Sequence, residues 1–238
     1  MRPSYSEQFQ ALIQSLAQNS QIQLLRQDIS TGIREDAYIQ RYQTRVAERY
    51  GFDAGFEICK LFLATQKTDI CWTTGAATPL ADGGPELLGC ISLLNLSKSL
   101  GDSAYRLDLL NPSPEFAHAS FFETGGTEDA GLRTLLRYDR DKRALLGMAV
   151  FDRPDVLPLT TSIEAYVQAA LDWRGAYGWQ LLYLPFDLFR GLPLPTRRHV
   201  YRLPQLLLAL FPDADWSVIE SKRAYFETNP ARSASRPG

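Results

Sequence analysis

Leu87-Leu88-Gly89-Cys90-Ile91-Ser92-Leu93-Leu94 is an eight-residue run without a charge, and such a run cannot be left on a solvated edge. A strand that is apolar on both faces needs cover on both, so the run predicts a central strand in a sheet layered by other elements. The apolar content of 45% over 238 residues is enough to supply that cover. Ala144 to Phe151 reads as a second buried strand. Asp69-Ile70-Cys71-Trp72-Thr73-Thr74 is a short strand with its tryptophan in the core, and Ala104 to Leu109 alternates as a strand with one wet face does.

Helices surround these strands. Ser4-Tyr5-Ser6-Glu7 has the capping-box form, and Phe9, Leu12, Ile13 and Leu16 then make one apolar stripe. Residues 22–26 read as a connection leading through Thr31-Gly32 to a second helix, whose Ile39, Tyr42, Val46 and Tyr50 share a face and whose stop is Gly51. A third helix spans Phe52 to Thr65, and Gly75 to Pro85 is a loop. Thr161-Ser162-Ile163-Glu164 opens another capped helix, carrying Tyr166, Val167, Ala170 and Leu171 and ending at Gly175. Beyond Tyr177 prolines break up leucine-rich pieces, leaving room for one helix from Leu203 to Phe211 with Pro204 in its first turn. The class is α+β: a domain over residues 1–176, a Leu/Pro/aromatic-rich extension over 177–228 packed on it, and a tail over 229–238.

Chemical signatures are sparse. Gly83-Gly84 and Gly125-Gly126 lack the basic residue and hydroxyl of a phosphate loop and read as turns. With two histidines, His118 and His199, and no close cysteine pair, the spacing excludes a structural zinc site, and no cofactor is implied. Gly101-Asp102-Ser103 is a three-residue fragment of the nucleophile block of lipolytic hydrolases, so a serine hydrolase using Ser103 with His118 or His199 is one alternative, and a plain turn is the other. Cys59, Cys71 and Cys90 are odd in number and set among apolar neighbours, which suits reduced, buried thiols. That, with no signal-like apolar core in the first seven residues and no apolar run of membrane length, predicts a cytoplasmic chain. A net charge of −2 favours neither nucleic acid nor an anionic membrane as partner.

Local charge is more telling. Asp102, Asp108, Glu115, Glu123, Glu128 and Asp129 face a single base, Arg106, across one stretch, whereas Arg133, Arg137, Arg140, Lys142 and Arg143 follow it and Arg197, Arg198 and Arg202 cluster later. A solvated surface is the ordinary meaning of such runs. The functional reading is a protein-docking surface in which Asp108, Glu115, Glu123, Glu128 and Asp129 meet a basic partner. Trp173 and Trp179, with Tyr177 and Tyr183, are either core or an exposed aromatic edge.

The helix ending at Tyr50-Gly51, the Trp72 strand, the Leu88–Leu94 strand, and Gly147-Met148-Ala149-Val150-Phe151-Asp152 followed by Thr161-Ser162-Ile163-Glu164-Ala165-Tyr166 resemble the SMI1/KNR4 family, the SUKH superfamily, over residues 33–175. The resemblance implies a mostly antiparallel twisted sheet with helices packed on it. It also implies a non-catalytic binding protein: in bacteria, an immunity protein that neutralises a cognate toxin by covering its active site through an interface of about 1,600 Å². A regulatory or scaffold protein of the same fold is the alternative within that family.

Overall fold

A computed structural model describes residues 3–29, 35–65, 67–75, 86–101, 119–123, 132–139, 141–142, 144–152 and 155–228. Helix α1 (Tyr5–Gln18) begins as the capping box requires: Glu7 Oε2 accepts the Ser4 N–H at 2.6 Å and Ser4 Oγ accepts the Glu7 N–H at 3.4 Å. Its Phe9, Leu12 and Leu16 are buried. The next element is a strand, β1 (Gln23–Ile29), in place of the expected connection. Most of its residues are exposed, so it carries none of the alternation by which a strand is recognised. Helix α2 (Asp36–Tyr50) buries Ile39, Tyr42, Val46 and Tyr50 and stops at Gly51, whose φ of 78° is the left-handed turn that glycine permits. Helix α3 (Phe56–Ala64) starts four residues later than the pattern suggests, because Asp53 Oδ1 accepts the Gly55 N–H at 2.8 Å and holds the preceding residues in a turn.

Strands β2 (Lys67–Thr73) and β3 (Leu88–Leu94) pair antiparallel with each other and with β1 in the order β1-β2-β3. Helix α4 (Leu96–Gly101) comes next, and then β4 (Ala119–Phe121), β5 (Arg133–Asp139), β6 (Ala144–Asp152) and β7 (Asp155–Pro158), an antiparallel sheet in chain order. β3 joins the two sheets: the Leu94 N–H donates to the Phe122 carbonyl at 2.9 Å, and Leu93 bridges Glu123. The fold is therefore α+β with antiparallel sheets, and the apolar β3 run has partners along both edges. The expected strand over 104–109 and nearly all of the expected loop over 75–85 lie outside the described residues.

After β7 come α5 (Ile163–Asp172), capped by Ser162 Oγ on the Ala165 N–H at 3.2 Å, a 3₁₀ turn (Trp179–Tyr183), α6 (Phe186–Gly191), α7 (Leu194–Leu210) and α8 (Ser217–Thr228). α7 begins at Leu194 and not at Leu203, because Pro195 sits in its first turn, where a missing N–H costs nothing. Pro204 is in its interior, where it leaves the Val200 carbonyl without the usual helical donor. Among the described residues the larger hydrophobic cluster runs from Phe9 to Ile219 without a break at residue 176, and a smaller one joins Leu94 of β3 to Ala119, Phe121, Leu135 and Ala149 of the second sheet. Trp72, Trp173 and Trp179 are all fully buried in the larger cluster, so Trp173 and Trp179 belong to the core.

The junction of the C-terminal residues with β3 is tight. The Cys90 N–H donates to the Gly175 carbonyl and the Tyr177 N–H to the Leu88 carbonyl, each at 2.8 Å, so Gly175–Tyr177 acts as a short extra strand on that edge. Trp72 lies across its register partner Gly89, and its indole N–H donates to the Arg174 carbonyl at 2.7 Å. The Arg174 guanidinium in turn stacks 4.0 Å from the Phe211 ring centroid and reaches Ser15 Oγ at 3.3 Å, which holds Arg174 at a φ of 53° despite its side chain.

Two of the cysteines are not free thiols. Cys71 and Cys90 are register partners on β2 and β3, 4.2 Å apart at Cα, and are joined by a disulfide; only Cys59 is free, buried in α3. An odd count describes the set and does not exclude a pair within it, and pairing depends on a strand register that spacing alone does not reveal. No helix among the described residues is long and apolar enough to cross a membrane.

A methyl group at Gly89 would run into the Trp72 ring. Gly89→Ala is therefore expected to lower unfolding free energy by about 1–3 kcal/mol, read from denaturant midpoints, whereas Gly191→Ala, with open space at the same position, should stay within about 0.5 kcal/mol.

Candidate functional site

Of the five acids expected to form a docking surface, Asp108, Glu115, Glu128 and Asp129 lie outside the described residues. The fifth, Glu123, is not on the surface. It comes after β4 at the seam with β3, is only 5% exposed, and turns its carboxylate inward. A run of acids in sequence carries no sign of which member points into the core, so the charge pattern groups it with the rest.

Glu123 Oε2 accepts the Thr134 hydroxyl at 2.8 Å and the Gln180 amide at 3.4 Å, and Thr134 Oγ1 lies 2.5 Å from the Tyr166 hydroxyl. Since Thr134 gives its proton to Glu123, the Tyr166 hydroxyl donates to Thr134, so one donor line runs from Tyr166 through Thr134 to the carboxyl. Glu123 Oε1 and Gln180 Oε1 have no hydrogen-bond partner among the described residues. Burial raises the Glu123 carboxyl above the ordinary glutamate range, with the bonds from Thr134 and Gln180 and the nearby Tyr166 hydroxyl opposing it. Burial, with the neighbouring Glu123 carboxyl adding to it, pushes Tyr166 well above the usual tyrosine range. An acid held this way ties β4, β5, α5 and the 3₁₀ turn together and is sealed from a macromolecular partner.

Ser103 and His118 lie outside the described residues. His199, on α7, has its Nε2 2.9 Å from the Tyr177 carbonyl, an anchor between α7 and the residues that edge β3. Asp69, Cys71 and Cys90 place one donor atom each within 4.8 Å of one another across β2 and β3, a proximity that residue spacing does not reveal. Where α2 meets α4, an open cleft of about 540 Å³ is lined by Tyr38, Arg45, Arg49, Tyr50, Asn95 and Ser97. Ser97 fixes its floor, its N–H donating to the Tyr42 hydroxyl at 3.1 Å and its carbonyl accepting from Tyr50 at 3.2 Å.

The arginine cluster Arg197, Arg198 and Arg202 belongs to the surface helix α7, which contains no aspartate or glutamate. Leu194, Tyr201 and Leu208 stand on the same helix at 49%, 40% and 45% exposure. They recur at seven-residue intervals, so they drift only about 20° per step and form one ridge about 21 Å long. Arg198 and Gln205, also on the outer side of the helix, fall between them on that face. The opposite face, with Val200, Leu203, Leu207 and Leu210, is buried, and of the ridge Tyr201 also meets the core ring of Phe189 edge-on at 5.4 Å, while Leu194 and Leu208 are exposed. A helix begun at Leu203, as the sequence pattern suggests, hides Leu194 and Tyr201 and with them the ridge.

No protein-family model matches this chain, and neither curated proteins nor solved structures give a match.

The raised Glu123 carboxyl has a signed consequence. The folded state holds the Glu123 proton more tightly than the unfolded chain, so stability falls as pH rises from the ordinary glutamate range through the raised value and then levels. Glu123→Gln keeps the acceptor, removes the buried charge and replaces one partnerless oxygen by a donor beside the other, Gln180 Oε1. It is expected to raise the melting temperature at neutral pH and flatten that part of the pH profile in thermal scans. Glu123→Ala leaves Thr134 and Gln180 donors unpaired and should cost about 1–3 kcal/mol.

Proposed function

We propose that this chain is a non-catalytic protein-binding module, and specifically an immunity-type protein that holds a cognate toxin and covers its active site. The observation that carries the binding reading is the α7 ridge: three large side chains in line on a helix that carries three arginines and no acid. Isolated exposed leucines need no explanation, but a seven-residue ridge on a helix already seated by its other face is the form in which one helix presents itself to another. With its arginines and no acid on α7, a second copy of the same helix would bring like charges together, so the occupant is a different protein with an acidic, apolar-ridged surface. The resemblance of residues 33–175 to the SMI1/KNR4 family supports the immunity reading, and a cytoplasmic setting belongs to the same proposal. The four acids at Asp108, Glu115, Glu128 and Asp129 remain a second candidate patch for a basic surface of the same partner.

Co-expression with the products of neighbouring genes tests this. A toxin among them should be neutralised and should co-purify with the chain, and Leu194→Ala with Leu208→Ala should weaken the complex about 10–100-fold by calorimetry while leaving the melting temperature unchanged. Reversal of Asp108, Glu115, Glu128 and Asp129 to lysine should weaken it less. If the α7 pair binds as tightly as the parent, the ridge is not the interface. If no neighbouring product is neutralised, the immunity role is wrong, and a regulatory scaffold takes its place.

A further inference from the structure

We infer that Asp69, Cys71 and Cys90, when the disulfide is reduced, form a site for a thiophilic divalent cation such as zinc. Asp69 and Cys71 are two residues apart on β2 and so project from the same face, and Cys90 stands directly opposite Cys71 on β3. Their donor atoms all lie within 4.8 Å of one another, and Cys71 Sγ is 3.8 Å from Asp69 Oδ1. Donors of a tetrahedral zinc with ordinary bond lengths are about 3.5–3.8 Å apart. On reduction the sulfurs part from a covalent bond of about 2 Å, and rotation about their Cα–Cβ bonds can bring them to that spacing. The fourth position is left to water, as in zinc sites with three protein ligands.

A cationic group already occupies the convergence point. Arg26 Nη2 lies 2.9 Å from Cys71 Sγ and 3.7 Å from Cys90 Sγ, and Nη1 lies 3.4 Å from Asp69 Oδ2, so one guanidinium meets all three donors. It gets there through the irregularity in β1: Leu24 pairs with Trp72 and Arg26 with Cys71, so Leu25 is the extra residue of a bulge that turns Arg26 to the cysteine side. The Arg26 side chain is 44% exposed and can swing into solvent, leaving its place to a metal. Cys59 takes no part: it is buried in α3, and burial pushes its thiol up to about 12, so it stays protonated.

Binding is gated by redox state. A dithiol reductant gives two electrons and two protons to the Cys71–Cys90 bond and is itself oxidised to a disulfide. The two thiols then release two protons as they ligate the metal as thiolates, and Asp69 supplies its carboxylate. In the oxidised form no thiolate exists to bind.

The test uses the full chain, reduced with a phosphine and desalted without oxygen, beside the same chain left oxidised. The reduced protein should take up one zinc per chain against a chromophoric chelator, and cobalt(II) in its place should show a sulfur-to-cobalt charge-transfer band. The oxidised protein should take up none. Asp69→Asn should weaken binding about tenfold or more, and Cys71→Ser with Cys90→Ser should abolish it. Arg26→Ala should tighten it severalfold by removing the competing cation, the reverse of what loss of a merely structural arginine would do. Equal uptake by reduced and oxidised chain, or uptake that survives loss of both cysteines, would overturn the site, and an unchanged affinity in Asp69→Asn would overturn its three-donor form. Should the cysteine variant not fold, the comparison of reduced with oxidised parent decides alone. Neither result depends on the α7 ridge.

Discussion

One strand, β3, divides its outer edge between two neighbours. Near its start, Leu88 and Cys90 hydrogen-bond to Gly175–Tyr177, and near its end Leu94 bonds to Phe122. The first pairing brings the chain back from α5 and seats everything after it, and the second joins the three-stranded sheet to the four-stranded one. Both edges of an apolar strand are thereby paired, which disposes of its backbone donors and acceptors without water. Two glycines make that possible. Gly89 leaves room for the Trp72 ring, and Gly175, at a φ of 66°, lies so close to Cys90 and Ile91 that a side chain would clash with the Cys90 backbone at 2.7 Å.

From this junction the C-terminal helices inherit their placement. The Arg174 carbonyl accepts the Trp72 indole, and the Arg174 side chain stacks on Phe211, which packs edge-on to Trp72. α7 is thus seated by its end residue and its buried face, which leaves Leu194 and Leu208 exposed and Tyr201 half out, its ring edge-on to Phe189. On the other side of the seam, the pairing of Leu93 with Glu123 commits an acid to the interior, where Thr134, Tyr166 and Gln180 close around it. Core and candidate interface are two outcomes of the same pairing.

How much of this is legible in the sequence depends on the kind of signal each element leaves. Ser4, Ser162 and Gly51 are readable because capping chemistry is local, confined to three or four residues. β3 is readable because its run is uncharged and almost wholly apolar, although Leu88 and Cys90 are only half-buried. β1 is not, since an edge strand with polar side chains looks like a loop, and β4, three residues long, is shorter than any periodicity. The burial of Glu123 depends on Gln180, 57 residues away, and the cysteine pair on a register. The start of α7 is masked by its prolines, which mark breaks in most contexts and, in a first turn, a beginning.

The alternation of a strand also decides whether chemistry and stability can be separated. On β2 the residues Ile70 and Trp72 turn to the core, while Asp69 and Cys71 turn to the face reached by Arg26. Trp72 fills the core from a position beside Cys71 in sequence and opposite to it in direction. Ligation at the sulfurs would therefore act on strands β2 and β3 through their backbones, cross-linking them where the disulfide does, and would leave the apolar packing beneath untouched. Because the same two strands carry the Trp72–Gly89 contact and the Gly175 pairing, a link between them in either form, covalent or through a metal, would add a cross-link beside the hydrogen bonds that already close the junction.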